Sequence, residues 1–260
     1  MPRYFIQLSY NGAPYHGWQV QPGALTVQEV IETALSKVLR TPLKITGAGR
    51  TDAGVNARMM IAHFDTATTL PMPGEALTRS LNAMVGRDIA IEKIYRVPDD
   101  LHARFDATSR TYHYYACTSK SPFLYPLSWQ APPHLDFEAM NRAAEILLHT
   151  DDFTSFSKLH TDVKTNICCV THARWEPVEI LGTPGWVFVI TADRFLRNMV
   201  RAVVGTLVDV GRGKIDAQQF AEIIAKRDRC AAGTSMPPQA LYLWSVTYPE
   251  LPDTFRDCQA

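Results

Sequence analysis

The sequence is informative first for what it lacks. No apolar run approaches the roughly 20 residues that a bilayer-spanning helix needs. The opening stretch, MPRYFIQLSYNG, enters an alternating pattern at once, without the charged-then-apolar layout of a signal peptide. A cytoplasmic protein is the expectation. The five cysteines (Cys117, Cys168, Cys169, Cys230 and Cys258) are odd in number and show no CxxC spacing, which argues against a disulfide framework and a zinc site. Cys168 and Cys169 adjoin in a strand-like segment, so they point to opposite faces. Packing as small buried apolar residues is expected of these thiols. Eight histidines include no HExxH and no close ligand pair, so no metal is expected. Neither sign of charge dominates: 26 Lys and Arg balance 26 Asp and Glu, and the sum gives no support for a nucleic-acid partner. No low-complexity linker interrupts the chain. The Pro- and Ser-containing residues 118–133 read as a long loop.

What remains is an ordinary globular composition, 46% hydrophobic and 20% charged, in 260 residues that suit one large domain or two small ones. The arginines are unevenly spread, with Arg50, Arg58, Arg104, Arg110, Arg194, Arg197 and Arg201 near the segments discussed below. A neutral protein can still hold a basic cleft if its acids lie elsewhere.

Tyr4, Ile6, Leu8 and Tyr10 alternate with Phe5, Gln7 and Ser9, predicting a strand that ends at Asn11-Gly12. Thr26 and Glu29 form a capping-box pattern ahead of an apolar stripe from Val27 to Leu39, and Pro42 stops that helix. A strand follows over residues 59–66, a helix over 74–84 and a strand over 88–97. The second half repeats the theme. It has a strand over 109–117, a helix over 137–149 behind Asp136, and strands over 167–175 and 185–192. Helices over 197–210 and 217–227 and a closing strand over 241–248 complete it. The order predicts an α+β fold of two related α/β halves with mainly antiparallel sheets. The halves are residues 1–105, carrying an aspartate-bearing loop, and 106–260, carrying a tyrosine strand and an arginine helix.

That loop is GAGRTDAG, residues 47–54. A dinucleotide-binding fingerprint would need glycine where Asp52 stands, and a P-loop would end in Gly-Lys-Ser/Thr. A carboxylate in a phosphate nest would repel its ligand. A plain turn, with Gly54 left-handed and Asp52 accepting local amides, is the simplest alternative. Against it, Arg50 and Asp52 project from one short segment that runs straight into an apolar strand, an arrangement that suits a rigidly held functional carboxylate. Downstream, DRFLRNMVRAVVG sets Arg194, Arg197 and Arg201 three and four residues apart, on one side of a helix if the segment is helical throughout. Arg201, deepest in the apolar run, most needs an anionic partner. In HARFDATSRTYHYYA, Arg110, Tyr112 and Tyr114 share one strand face. Aromatics interleaved with arginines supply stacking planes and phosphate contacts for a flipped or single-stranded base, whereas Tyr114 and Tyr115 also suit plain sheet packing.

These segments together resemble the TruA-type tRNA pseudouridine synthases, nearly end to end. The resemblance is carried by YNGAPYHGWQVQ, GAGRTDAGVNA, VPDDLHARFDATSRTYHY, DDFTSF, FLRNMVRAVVG and ALYLWSVTYP. It implies Asp52 as catalytic aspartate, Tyr112 as the active-site tyrosine near the target base, and Arg201 as the aspartate's partner. It also implies that Arg50 holds the target nucleotide out of its helix, with Phe105 in a supporting role. Arg110 and Arg197, from the segments above, are further candidate substrate contacts. The family often has aspartate at the position of Asn11, histidine at that of Asn56 and glycine at that of Ala240. The implied architecture is two RNA-recognition-like halves sharing a continuous sheet, helices on one side, with a basic cleft between them. A homodimer gripping one tRNA is implied as well. The implied reaction converts uridine to pseudouridine at positions 38, 39 and 40 of the anticodon stem-loop.

Such an isomerisation breaks the ribose–N1 bond, turns the uracil and rejoins it through C5, so no cofactor is expected. One carboxylate must add to base or sugar, or remove a ribose proton, and the sequence leaves these routes open. A stacked uridine must first be flipped out. A catalytically silent RNA-binding module and a small-molecule nucleotide enzyme are the alternatives; the absent Gly-Lys-Ser/Thr weighs against the second.

Overall fold

The strands and helices anticipated from periodicity form in the computed structural model, which describes residues 1–158 and 165–249; Cys258 lies outside them. In chain order they are β1 (Arg3–Tyr10), α1 (Val27–Leu39), β2 (Thr46–Gly47), β3 (Asn56–Asp65), α2 (Gly74–Asn82) and β4 (Ile89–Val97). Then come β5 (Ser109–Cys117), β6 (Trp129–Gln130), α3 (Phe137–Ala144), β7 (Val170–Ile180) and β8 (Thr183–Ala192). Last are α4 (Met199–Gly211), α5 (Ala217–Lys226) and β9 (Leu241–Thr247). The class is α+β. β1 pairs antiparallel with β3 and β4, β2 with β3, and β8 with β5 and β7, while the two-residue β6 runs parallel to β5. The chain divides into two compact units, Met1–Thr108 with the residues from Leu243 on, and Ser109–Tyr242.

In the first unit the strand order is β4, β1, β3, β9. β1 buries more than its alternation implied, because Phe5 and Gln7 on its second face are enclosed as well. Phe5 packs edge-on against Tyr95 and Tyr248, and the Gln7 amide donates to Glu92 at 2.7 Å. α1 starts where Thr26 Oγ1 accepts the Glu29 N–H, the backbone half of the expected capping box. It ends at left-handed Arg40, ahead of Pro42. Its buried Glu32 accepts the Ile45 N–H at 3.1 Å and pairs with Lys44 at 2.8 Å. That carboxylate fixes where the chain enters β2 and the GAGRTDAG loop.

The second unit has the order β5, β8, β7. α3 is shorter than the periodicity suggested, since its final turn, Glu145–His149, tightens to a 3-10 helix. α5 starts with a complete capping box from Asp216 and Gln219. Of the paired cysteines, Cys168 is buried and Cys169 exposed, just ahead of β7; exposed Cys230 likewise departs from the buried packing expected of these thiols.

α4 also begins later than its periodicity suggested. Asn198 adopts φ 66°, which an α-helix cannot contain, so the helix starts at Met199. Arg194 and Arg197 therefore precede it and do not share a helical side with Arg201. Nearly all of α4 is buried, and it lies against the segment leading to β9. At Gly205 the approach is so close that a β-carbon would stand 1.8 Å from the Thr234 carbonyl oxygen.

Gly205→Ala should therefore destabilise the chain by about 1–3 kcal/mol, the usual range for forcing a methyl into a packed interior. A lowered thermal midpoint with a native circular dichroism spectrum would show it; an unchanged midpoint would refute the contact.

Buried His63 and half-buried His113 set a pH response. Burial, helped by the Arg3 charge, lowers His63 to about 4, and burial with His172 lowers His113 to about 4. Unfolded, both titrate near 6.5. The folded chain thus binds fewer protons between those values, so its stability is full above pH 6.5 and declines as the pH falls toward 4. Urea midpoints should drop across that window, and the His63→Gln/His113→Gln double variant should show a visibly flatter decline.

Candidate active site

Asp52 sits in a loop gripped by the segment that follows β1. The preceding residue, Thr51, is buried and held at both ends. Its hydroxyl bonds the Tyr10 phenol at 2.8 Å, and its carbonyl accepts the Trp18 N–H at 3.2 Å. Beyond Asp52, the Gly54 N–H donates to the Tyr15 carbonyl at 3.3 Å, and the Val55 N–H closes a turn onto the Asp52 carbonyl at 3.1 Å. Gly54 has the left-handed φ, 77°, expected of it. Buried Asn56 accepts the Gly12 N–H at 2.8 Å, so this amide oxygen anchors the loop's far end. Gly17 makes the grip possible: its φ is 86°, and a β-carbon there would lie 2.5 Å from the Thr51 carbonyl oxygen. Asp52 itself is half-buried and Arg50 exposed, so one rigid loop presents both to solvent-accessible space.

Phe105 belongs to a second loop of the same unit. It is exposed and packs on His102, the ring centroids 4.3 Å apart. Burial, together with the Arg3 charge, lowers the His102 pKa from its ordinary value. The neutral ring suits the bonding, because its Nδ1 accepts the Arg104 and Phe105 N–H groups at 3.0 and 3.2 Å.

In the second unit, Arg110, Tyr112, Arg197 and Arg201 are organised by the stretch joining β8 to α4. Arg110 Nη1 donates to the Asp193 carbonyl at 2.7 Å. The Asp193 carboxylate receives the Cys169 and Arg194 N–H groups, which fixes the turn out of β8. Half-buried Tyr112 meets the Phe195 ring edge-on, centroids 5.0 Å apart. Arg197 is exposed and its carbonyl accepts the Lys158 N–H at 3.1 Å. Arg201, in the first turn of α4, is bound reciprocally to Met236: its Nε donates to the Met236 carbonyl at 2.5 Å, and the Met236 N–H returns to its carbonyl at 3.1 Å.

The predicted residues thus fall into three groups: Arg50 with Asp52, Phe105 on its own loop, and the Arg110, Tyr112, Arg197 and Arg201 set. Sequence reasoning missed the residues that hold them, namely Tyr10, Trp18, Thr51, Phe195 and Met236. The glycines and aromatics of YNGAPYHGW were the available signal for the first of these, since small residues beside large rings mark close backbone packing. Among the described residues, no group of three or more His, Cys, Asp or Glu side chains is placed to hold a metal ion. No helix there is long and apolar enough to cross a membrane.

The chain is similar to known proteins along most of its length. The tRNA pseudouridine synthase family matches residues 7–106 and 143–249. The tRNA pseudouridine synthase A of Parabacteroides distasonis is 55% identical over 252 residues, covering 96% of this chain and 97% of that protein. The protein of the same name from Porphyromonas gingivalis is 54% identical over 249 residues, covering 96% and 98%. That of Exiguobacterium is 38% identical over 248 residues, covering 95% and 98%. With a family match over well above half of its length, holding both the aspartate loop and Arg201, and with relatives of this identity and coverage, the chain belongs to the tRNA pseudouridine synthase family.

Proposed function

We propose that this isomerase converts uridine to pseudouridine at positions 38, 39 and 40 of the tRNA anticodon stem-loop, with Asp52 as the catalytic group. The observation that carries the reading is the pinned loop: a single half-buried carboxylate follows a threonine fixed through both its hydroxyl and its carbonyl. A group held this way needs little reorganisation when the substrate arrives. Asp52 acts as nucleophile toward base or sugar, or as base toward a ribose proton. The ribose–N1 bond breaks, the uracil turns, the ribose carbon joins C5, the C5 proton leaves to solvent, and N1 takes up a proton in its place.

Tyr112 offers an aromatic face to the uracil, its ring steadied by Phe195. Arg201 is the counter-charge to Asp52, offsetting the penalty of taking a carboxylate out of water. Its Nε bond to Met236 limits the directions in which the guanidinium can point. Arg50, exposed on the aspartate's own loop, holds the flipped nucleotide, while Arg110, Arg197 and Phe105 contact the RNA around it. The enzyme works as a cytoplasmic homodimer on the anticodon arm. The chain's formal net charge of zero requires that its basic RNA-binding surface be local.

Asp52→Asn, close in shape, should abolish tritium release from C5-labelled uridine in a tRNA transcript while leaving tRNA binding within a few fold. Near-normal release by that variant would refute Asp52 as the catalytic group. Mapping the product should place pseudouridine at 38 to 40, and any other position would overturn the site assignment.

Arg201→Ala should slow turnover at saturating tRNA at least a hundredfold, in line with the loss of a preorganised charge beside a reacting group. Single-turnover kinetics decide it, and a rate equal to that of the unaltered enzyme rules the counter-charge out.

A further inference from the structure

The rings behind Phe105 take no part in the chemistry above. His63 is buried in β3, and its Nδ1 accepts the Ala103 N–H at 3.2 Å. The His102 ring stands edge-on to it, centroids 4.6 Å apart, and Phe105 lies over His102 at 4.3 Å with 31° between planes. Three rings thus lead from the core to the surface, and the last is 75% exposed.

The loop that carries them is tightly bonded. Besides the two amides on His102 Nδ1, the His102 N–H donates to the Asp106 carboxylate at 2.6 Å. The Asp106 N–H returns to the His102 carbonyl at 3.1 Å. The Arg104 guanidinium lies over the Phe105 ring at 5.9 Å from its centroid, near the outer limit of a cation–π contact, and the ring still keeps its 75% exposure. Holding a large apolar ring this firmly while leaving it wet forfeits conformational entropy without the gain from burial. A flat, apolar-faced ligand stacking on the ring would recover that gain, and bases of single-stranded RNA are such ligands.

We infer that Phe105 is a stacking platform for an unpaired base of the bound tRNA, at a nucleotide other than the one Asp52 acts on, and that His102 is the residue positioning it. The inference rests on the reading of the chain as an enzyme that binds tRNA. Separation along β3 supports a different nucleotide. Asn56 anchors the end of the aspartate loop and His63 supports the platform, seven residues further on, which is about 23 Å of strand. Stacking of this kind tolerates any base, because every base has a π-face. The platform therefore adds affinity without sequence preference.

The test uses the full chain and an unmodified tRNA transcript. Phe105→Ala and Phe105→Leu should each weaken tRNA binding about tenfold, the usual scale for losing one base–aromatic stack, and Phe105→Trp should retain it. The losses should appear in KM, with kcat at saturating tRNA within about twofold of normal. His102→Ala should produce the same KM rise, and adding Phe105→Ala to it should bring little further loss, since the two act as one unit. Binding unchanged in Phe105→Leu would overturn the inference, as would an effect confined to kcat. So would a changed sedimentation coefficient without tRNA, which would assign the ring to a contact between protein copies. If the unaltered enzyme modifies tRNA while the Phe105 variants match it, the platform alone fails. If the unaltered enzyme neither binds nor modifies tRNA, the functional reading fails with it.

Discussion

The aspartate loop depends on Thr51 being held from two directions. Its hydroxyl reaches Tyr10, the last residue of a buried strand, and its carbonyl takes the Trp18 amide. Tyr10 and Trp18 stack on each other with centroids 6.2 Å apart, so both partners are fixed by packing before either bonds threonine. The next residue is Asp52, and its direction follows from the strand through only a few stiff links. A buried hydroxyl pair left half-made carries a desolvation penalty of about 1–3 kcal/mol, which makes the arrangement all-or-none.

The second unit reaches a similar rigidity by a different device. Residues 233–237 lie along α4, held by the Arg201–Met236 exchange and by the Gly233 N–H to Thr206 Oγ1 at 2.9 Å. The same segment accepts the Tyr114 phenol at the Pro237 carbonyl, 3.2 Å away. One irregular stretch thus ties the strand bearing Tyr112 to the helix bearing Arg201. Two side chains from elements far apart in sequence are registered against each other by backbone carbonyls.

Much of this was legible in the sequence, and the parts that were not have physical reasons. Caps at Thr26, Asp136 and Asp216 mark helix starts because each satisfies specific amides, and all three cap in the structure. RTDAG stood out because a charge among glycines contradicts a phosphate cradle. The start of α4 was hidden, since hydrophobic spacing runs through Asn198 without a break while the backbone does not. Periodicity reports which side chains want burial and carries no information about a single left-handed residue. The burial of Phe5 and Gln7 was hidden for a related reason: their covering partners, Tyr248 and Glu92, are distant in sequence. The closed bonding of the HARF loop was also invisible, because a histidine accepting two amides leaves no mark on composition.

The closing strand has a consequence for how the protein is made. β9 lies beside β3, and its last residue and the one after it serve the first unit: Thr247 accepts the Thr108 N–H at 2.9 Å, and Tyr248 donates to the Ala103 carbonyl at 2.5 Å. The unit that carries Asp52 is thus begun by β1 and finished by β9, which is made after every element of the second unit. During translation its sheet keeps an open edge along β3 while the whole second unit is built. The aspartate loop can form early, but the sheet behind it closes only after residue 248 has left the ribosome. A chain truncated before that point lacks a strand of the unit that holds Asp52.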